Sequence, residues 1–157
     1  MSDADLSAAA ELAMAAALDQ ARLARLAGEV PVGAAVARAG RVIAAAHNRR
    51  QGGDPLAHAE LIALGQAARA VGDWRLSDCL LAVTLEPCPM CAGAMVMARL
   101  GTLVFGAYDP AYGCGGSALN LTERAGFPWR VRTVGGWREA ACAALLRDFF
   151  AERRADP

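Results

Sequence analysis

Two short segments of this chain carry residue types that bind metals and move protons. One is residues 58–60, His-Ala-Glu, and the other is residues 87–91, Pro-Cys-Pro-Met-Cys. One histidine and two thiolates form a ligand set that Zn²⁺ favours, and three protein ligands leave a fourth tetrahedral position for water. Glu60 lies two residues from the histidine, close enough to exchange a proton with that water without binding the metal. The pattern therefore predicts a catalytic zinc site with His58, Cys88 and Cys91 as ligands and Glu60 as the proton carrier.

Three other interpretations of these segments are available. An isolated Cys-x-x-Cys is also found as a thiol redox pair. A closed structural zinc site needs a fourth protein ligand, and a non-catalytic zinc module that binds RNA would use such a site. A structural site has no use for a carboxylate at Glu60, so the combined pattern favours catalysis with one zinc per chain. The candidates for a fourth ligand, none with ligand-like spacing, are His47, Cys79, Cys114 and Cys142.

Hydrophobic patterning and turn residues predict the elements that position the two segments. Both segments lie where a predicted helix begins after a loop, and a helix N-terminus favours the thiolate form of cysteine. The alternation of strands with helices predicts a three-layer α/β/α domain, with a parallel crossover over 79–107. Helices are predicted at 2–27, 57–71, 90–100 and 137–154, and strands at 30–37, 41–48, 79–85, 103–107 and 131–134.

Two connections carry further local predictions. Residues 39–40, Ala-Gly, separate the first two predicted strands, and alanine fits poorly in a two-residue turn that needs positive φ twice. The sequence therefore predicts a bulged turn with only Gly40 left-handed. Residues 108–117 form a glycine-rich loop after the fourth strand.

Length and composition predict one domain over residues 1–157. The chain has a mass of 16.3 kDa and is 55% hydrophobic, which is enough apolar surface for a core. No apolar run approaches the roughly 20 residues of a membrane span, and no signal peptide is recognised. Five cysteines, an odd number, argue against a disulfide scaffold. We expect a cytoplasmic protein without a membrane partner.

The charge of the chain is balanced but unevenly distributed. The 16 basic residues, all arginine, match 16 acidic residues, so the formal net charge is zero. Residues 30–53 contain four arginines and no acid, which predicts a basic face able to meet phosphates. These arginines are Arg38, Arg41, Arg49 and Arg50.

Further segments extend the two motifs over nearly the whole chain. With them, the sequence resembles the bacterial tRNA adenosine deaminases, a family of the zinc-dependent cytidine and deoxycytidylate deaminase superfamily. The segments are 29–34 (Glu-Val-Pro-Val-Gly-Ala), 48–49 (Asn-Arg), 54–60, 84–94, 104–107 (Val-Phe-Gly-Ala), Asp109, 116–117 (Gly-Ser) and 145–150.

The resemblance implies a fold, a reaction and a partner. The fold would be cytidine-deaminase-like, with a central five-stranded mixed sheet. The reaction would be hydrolytic deamination of the wobble adenosine in a tRNA anticodon loop to inosine, with hydroxide attacking carbon 6 and ammonia leaving. The enzyme would be a homodimer with one zinc per chain and no organic cofactor. The alternative is a deaminase of a free base or nucleoside, such as guanine or cytosine, built on the same zinc core.

The resemblance also implies roles for individual residues. Asn48 would hydrogen-bond the flipped base, and the Ala59 backbone amide would read its edge. Pro31 and Val32 would line the pocket, and Asp109 would contact the nucleotide backbone. From its position directly before Pro87, and not from the resemblance, Glu86 is expected to support the adjoining ligand or to cap a helix. Candidate contacts to the RNA backbone are Arg49, Arg50, Phe149 and Arg153.

Overall fold

The structure, a computed structural model that describes residues 1–155, begins with the long helix α1 (Asp3–Leu26). Ser2 caps this helix because its hydroxyl accepts a hydrogen bond from the Asp5 amide, while the Asp5 carboxylate accepts one from the Ser2 amide. The buried face of α1 consists mainly of alanines, which lets the helix lie close to the sheet. At Gly33 the approach is so close that a Cβ would overlap backbone atoms of the helix.

Five strands form one mixed sheet, as the sequence and the resemblance predict. In spatial order they run β2-β1-β3-β4-β5. The hairpin strand β1 is antiparallel to both of its neighbours, whereas β3, β4 and β5 are parallel. The strands are β1 (Gly33–Arg38), β2 (Arg41–His47), β3 (Leu80–Leu85), β4 (Thr102–Ala107) and β5 (Arg132–Val134).

Helices cover both faces of this sheet and confirm the three-layer α/β/α architecture. Two of them, α1 and α4 (Glu139–Ala155), pack on one face with the apolar side chains of Leu80 and Val104. The other two, α2 (Ala59–Val71) and α3 (Pro89–Met97), pack on the opposite face. A short 3₁₀ helix, η1 (Arg50–Gly52), lies between β2 and α2.

The topology collects three strand ends at one edge of the sheet. Because β1 is antiparallel to both β2 and β3, the latter two point the same way, and β4 is parallel to β3. The segments that leave the carboxyl ends of β2, β3 and β4 therefore emerge together. Ligand sites in α/β sheets lie outside such strand ends. Helices α2 and α3 begin at this edge and direct their N-termini towards it.

The Ala39-Gly40 turn differs from the sequence-based prediction. Both residues are left-handed, with φ of 50° and 76°, so this is a two-residue turn without a bulge. Arg38 pairs directly with Arg41, and the twist of so tight a hairpin requires positive φ at both intervening residues. The irregularity lies within the hairpin instead, where the register shifts between Val36 and Ala37.

The first strand is also shorter than the predicted 30–37. Val32 donates its amide hydrogen to the Val30 carbonyl at 2.8 Å, which forms a tight turn before the sheet begins. Pro31, in the middle of this turn, has no amide hydrogen to donate to a neighbouring strand. Within residues 1–155, no helix combines the length and the apolar character that crossing a membrane requires.

Candidate active site

A cavity of about 480 Å³ opens at the edge of the sheet where β2, β3 and β4 end. Its floor contains the side chains of His58, Glu60 and Cys88. The structure thus brings together the two sequence motifs, which lie about thirty residues apart, as the resemblance implies. Residues from the loops after β2, β3 and β4 form the walls.

The three predicted ligands lie at zinc-binding distances from one another. The His58 Nδ1 atom is 3.6 Å from the Cys88 sulfur and 3.5 Å from the Cys91 sulfur. With a Zn–S bond of about 2.3 Å and a Zn–N bond of about 2.0–2.1 Å, a tetrahedral site separates sulfur from nitrogen by about 3.6 Å. The donor set and the spacing therefore both fit Zn²⁺. Within the described residues, this is the one such cluster of histidine, cysteine or acidic side chains.

Helix ends hold these ligands in place. His58 is the residue that caps α2, and Cys88 caps α3, while Cys91 lies in the first turn of α3. Pro89 occupies the first position of α3, where its missing amide hydrogen costs no helical hydrogen bond. A hydrogen bond from Cys91 lowers the pKa of Cys88 to about 5, and the same interaction raises the pKa of Cys91. One thiolate is therefore already favoured in the protein alone.

Glu60 lies beside the ligands but belongs to the core. The residue is 3% exposed, and its Oε2 atom is 3.9 Å from His58 Nδ1. Burial, which penalises the charged form, raises the pKa of Glu60 to about 7. A carboxyl group that neighbours a metal-ligand set and readily accepts a proton suits general acid and base work.

Asn48 has its side-chain orientation fixed by the backbone. Its Oδ1 atom accepts a hydrogen bond of 3.0 Å from the Ala59 amide, which can only donate, so the side-chain amide group is the remaining polar end. The Ala59 amide, which the resemblance assigns to the edge of the base, thus donates to Asn48 and positions its side chain in this structure.

The other predicted pocket residues separate into two groups. Val32 and Asp109 line the cavity, whereas Pro31 is buried outside its lining. The Asp109 carboxylate accepts hydrogen bonds from the amides of Ala111 and Tyr112, at 3.1 and 3.2 Å, and so shapes its own turn. Tyr112 lines the cavity while remaining 70% exposed.

The predicted basic face is smaller than the sequence suggests. Arg38 forms an ion pair of 2.7 Å with Asp78, which comes from a distant part of the chain. Arg41 lies at the start of β2, at the far end of that strand from the cavity. Arg49 and Arg50 remain exposed, and Arg50 lines the cavity mouth. Neither of these two arginines has an acidic partner among residues 1–155.

Phe149, a candidate contact to the RNA backbone, is largely buried in this structure. Phe149 is 6% exposed, since α4 turns this residue towards the protein, so its ring offers no surface to a base. Arg153 lies over that ring at 4.8 Å and donates a hydrogen bond to the Gly28 carbonyl. The guanidinium of Arg153 is thus partly committed to holding α4 against the end of α1.

Glu86 has a larger structural role than the sequence suggests. This carboxylate is 2% exposed, lines the cavity and accepts four hydrogen bonds from the loop after β4. Its partners are 23 to 31 residues away, so no local pattern reveals them. The one sequence feature that could have indicated this role is the position of Glu86, a charged residue between the buried strand β3 and the ligand Cys88.

Comparison with known protein families agrees with the geometry. Residues 7–107 match the family described as the cytidine and deoxycytidylate deaminase zinc-binding region. The tRNA-specific adenosine deaminase of Bacillus subtilis is 45% identical over 145 residues, which cover 92% of this chain and 90% of that protein.

Solved structures show the same architecture. A structure from a study of A-to-I editing by tRNA:A34 deaminases at the wobble position of transfer RNA superposes with a TM-score of 0.81. It is 39% identical, and the match covers 85% of this chain and 97% of that one. A guanine deaminase from Nitrosomonas europaea superposes with a TM-score of 0.75 at 30% identity, over 88% of this chain and 82% of that one.

Proposed function

The chain belongs to the cytidine and deoxycytidylate deaminase family and is a zinc-dependent deaminase, and we propose that its substrate is the wobble adenosine of a tRNA anticodon loop. Hydrolysis converts this adenosine to inosine and releases ammonia. The supporting structural observation is the mouth of the cavity, where Arg50 lies beside Asn48 and has no acidic partner among residues 1–155. A free base brings no phosphate to such a mouth, whereas a nucleotide in an RNA loop does. We further propose that residues 1–157 act as one domain.

The proposed reaction divides into binding and proton transfer. When bound, zinc supplies a Lewis acid that makes water a nucleophile at neutral pH. Glu60 takes a proton from the attacking water and gives it to the ring nitrogen next to carbon 6. It then carries a second proton from the new hydroxyl group to the leaving amine, so the carboxylate ends as it began. Burial keeps bulk water from competing for these protons.

The cavity walls provide orientation. The Asn48 side-chain amide, fixed by Ala59, can donate to an acceptor on the base or its sugar. The side chains of Val30, Val32 and Leu85 form apolar surfaces against which a flipped base can stack. A base held in this way presents carbon 6 to the reacting centre. Holding the reacting atoms in the correct orientation lowers the entropy cost of the reaction and so accelerates it.

The direct test is an inosine assay on an anticodon stem-loop with adenosine at the wobble position, run beside free guanine, cytosine and adenosine. We expect inosine in the stem-loop and no comparable turnover of the free compounds. A stem-loop with adenosine at the next anticodon position is the matched control and should remain unmodified. Deamination of free guanine with an inert stem-loop would instead favour the activity of the Nitrosomonas europaea relative.

Arg49 and Arg50 should contribute to RNA affinity through phosphate contacts. Each phosphate neutralised on single-stranded RNA contributes about −0.7 to the slope of log affinity against log salt concentration. Replacing both arginines by alanine should flatten this slope and weaken stem-loop binding, with less effect on kcat. The control is Arg41→Ala, because Arg41 is exposed at the opposite end of β2. An unchanged slope in the double variant would show that these arginines only solvate the surface.

The remaining parts of the proposal concern assembly and location. The resemblance implies a homodimer, and this state remains a prediction. All five cysteines are free thiols, which suits a reducing compartment and supports a cytoplasmic location.

A further inference from the structure

We propose that Glu86 is a positioning residue for substrate binding, whose carboxylate holds residues 109–117 as one wall of the catalytic cavity. This loop is referred to below as the wall loop. The role concerns the shape of the cavity and not proton transfer, which belongs to Glu60. The inference rests on the proposed function only for the choice of substrate in its test.

The contacts of Glu86 define a closed network. Its Oε1 atom accepts hydrogen bonds from the Asp109 amide at 3.1 Å and from the Ser117 hydroxyl at 2.5 Å. Its Oε2 atom accepts from the amides of Gly115 and Ser117, at 3.1 and 3.0 Å. The donors come from the beginning and the end of the wall loop, so one carboxylate closes the loop on itself.

The shape of the wall loop is fitted to this carboxylate. A Cβ on Gly113 would overlap the Glu86 carboxylate, and a Cβ on Gly115 would lie 2.8 Å from the Phe105 ring. Neither glycine has a positive φ, so close approach and not backbone conformation explains why both side chains are missing. The close packing of the loop at Gly113 and Gly115 therefore depends on the absence of side chains at these two positions.

The wall loop connects this network to the substrate side of the cavity. It carries Asp109 and Tyr112, both of which line the cavity. The Cys114 amide also donates to the Pro87 carbonyl at 2.8 Å, directly beside the ligand Cys88. Glu86 thus acts on the substrate through the positions of Asp109 and Tyr112.

The network uses the full acceptor capacity of the Glu86 carboxylate group. Four donors need four acceptor sites, which two carboxylate oxygens supply. Glutamine has nearly the same shape but replaces one oxygen with an NH₂ group. The hydrogen atoms of this NH₂ group would point at the donor hydrogens of the wall loop, which it cannot accept. The variant Glu86→Gln should therefore release one side of the wall loop without removing volume from the core.

The first test measures kcat and KM of Glu86→Gln with the anticodon stem-loop, together with its zinc content. We expect KM to rise by about tenfold or more, while kcat stays within about threefold, because a misplaced wall weakens binding and leaves Glu60 and the ligands intact. Amide hydrogen exchange at Asp109, Gly115 and Ser117 should accelerate in the same variant. The control is Glu123→Gln, because Glu123 is exposed and accepts one backbone hydrogen bond, from Thr133.

A second variant pair tests whether Glu86 acts through the wall loop. Tyr112→Ala should raise KM in the wild type and have a smaller additional effect in Glu86→Gln, since the wall is already displaced. If Glu86→Gln does not fold, Ser117→Ala can replace it, because this variant removes one of the four donors. It should raise KM in the same direction but by a smaller factor.

Two results would overturn the proposal. One is a parallel loss of kcat and zinc at unchanged KM, which would make Glu86 a support for the metal ligands only. The other is unchanged kinetics with unchanged amide exchange. If the wild type deaminates free guanine and not the stem-loop, the proposed substrate fails, while the exchange and zinc measurements still decide the role of Glu86.

Discussion

Replacing Glu60 by alanine should lower kcat by roughly 10²- to 10⁴-fold or more, because general acid and base catalysis contributes about that factor. The variant should still bind one zinc per chain, since Glu60 is not among the three clustered ligands. Steady-state kinetics and metal analysis on the same preparation measure both quantities. A large loss of rate with full zinc content is the signature of a proton carrier.

The matched control for this prediction is Glu60→Gln. Glutamine keeps the volume that Glu60 occupies in the core, where the residue is 3% exposed, but it cannot carry a proton. Both variants should therefore be equally inactive. Activity retained by either variant would contradict the catalytic role, and loss of zinc from both would mean that Glu60 supports the metal site.

Replacing Cys88 by serine should remove most of the zinc and, with it, the activity. Serine is a poor ligand for Zn²⁺ in place of a thiolate, and the cluster contains only three protein ligands among residues 1–155. Loss of an outer hydrogen-bond partner already costs about 10- to 100-fold in metal affinity, so loss of a ligand should cost more. Zinc content after dialysis against a weak chelator measures the effect.

Cys114→Ser is the control thiol variant. Cys114 is buried in the wall loop and lies outside the cluster of His58, Cys88 and Cys91. It should retain zinc. Equal loss of zinc from Cys114→Ser would indicate a closed site with four protein ligands, and undiminished zinc in Cys88→Ser would refute the predicted ligand set.

The sequence was sufficient to predict the cluster of His58, Cys88 and Cys91 because each of the two motifs is local. Residues 58–60 and 87–91 each begin a helix, so the type and order of their residues specify which groups face the cavity. The strand and helix pattern is equally local, and the five strands and four α-helices of residues 1–155 were all predicted, whereas the short 3₁₀ helix η1 was not. Only their ends shifted, as at Pro31, where a turn precedes β1.

The differences between prediction and structure come from contacts between distant residues. Arg38 looked like part of a basic face until the fold placed Asp78 beside it. Phe149 is exposed or buried according to how α4 meets the sheet, which helical periodicity does not specify when alanine is abundant. The network of Glu86 depends on residues up to 31 positions away. Such contacts require the topology of the sheet.

The contact between α1 and Gly33 makes the shape of the cavity depend on the helix that packs on the other face of the sheet. Val32, which lines the cavity, directly precedes Gly33, and its carbonyl accepts the Asn48 amide hydrogen at 3.2 Å. A wider gap between α1 and β1 would thus be transmitted to both residues through the backbone. Substitutions at the contact between α1 and Gly33 should therefore alter base selectivity, even when every side chain that contacts the substrate is unchanged.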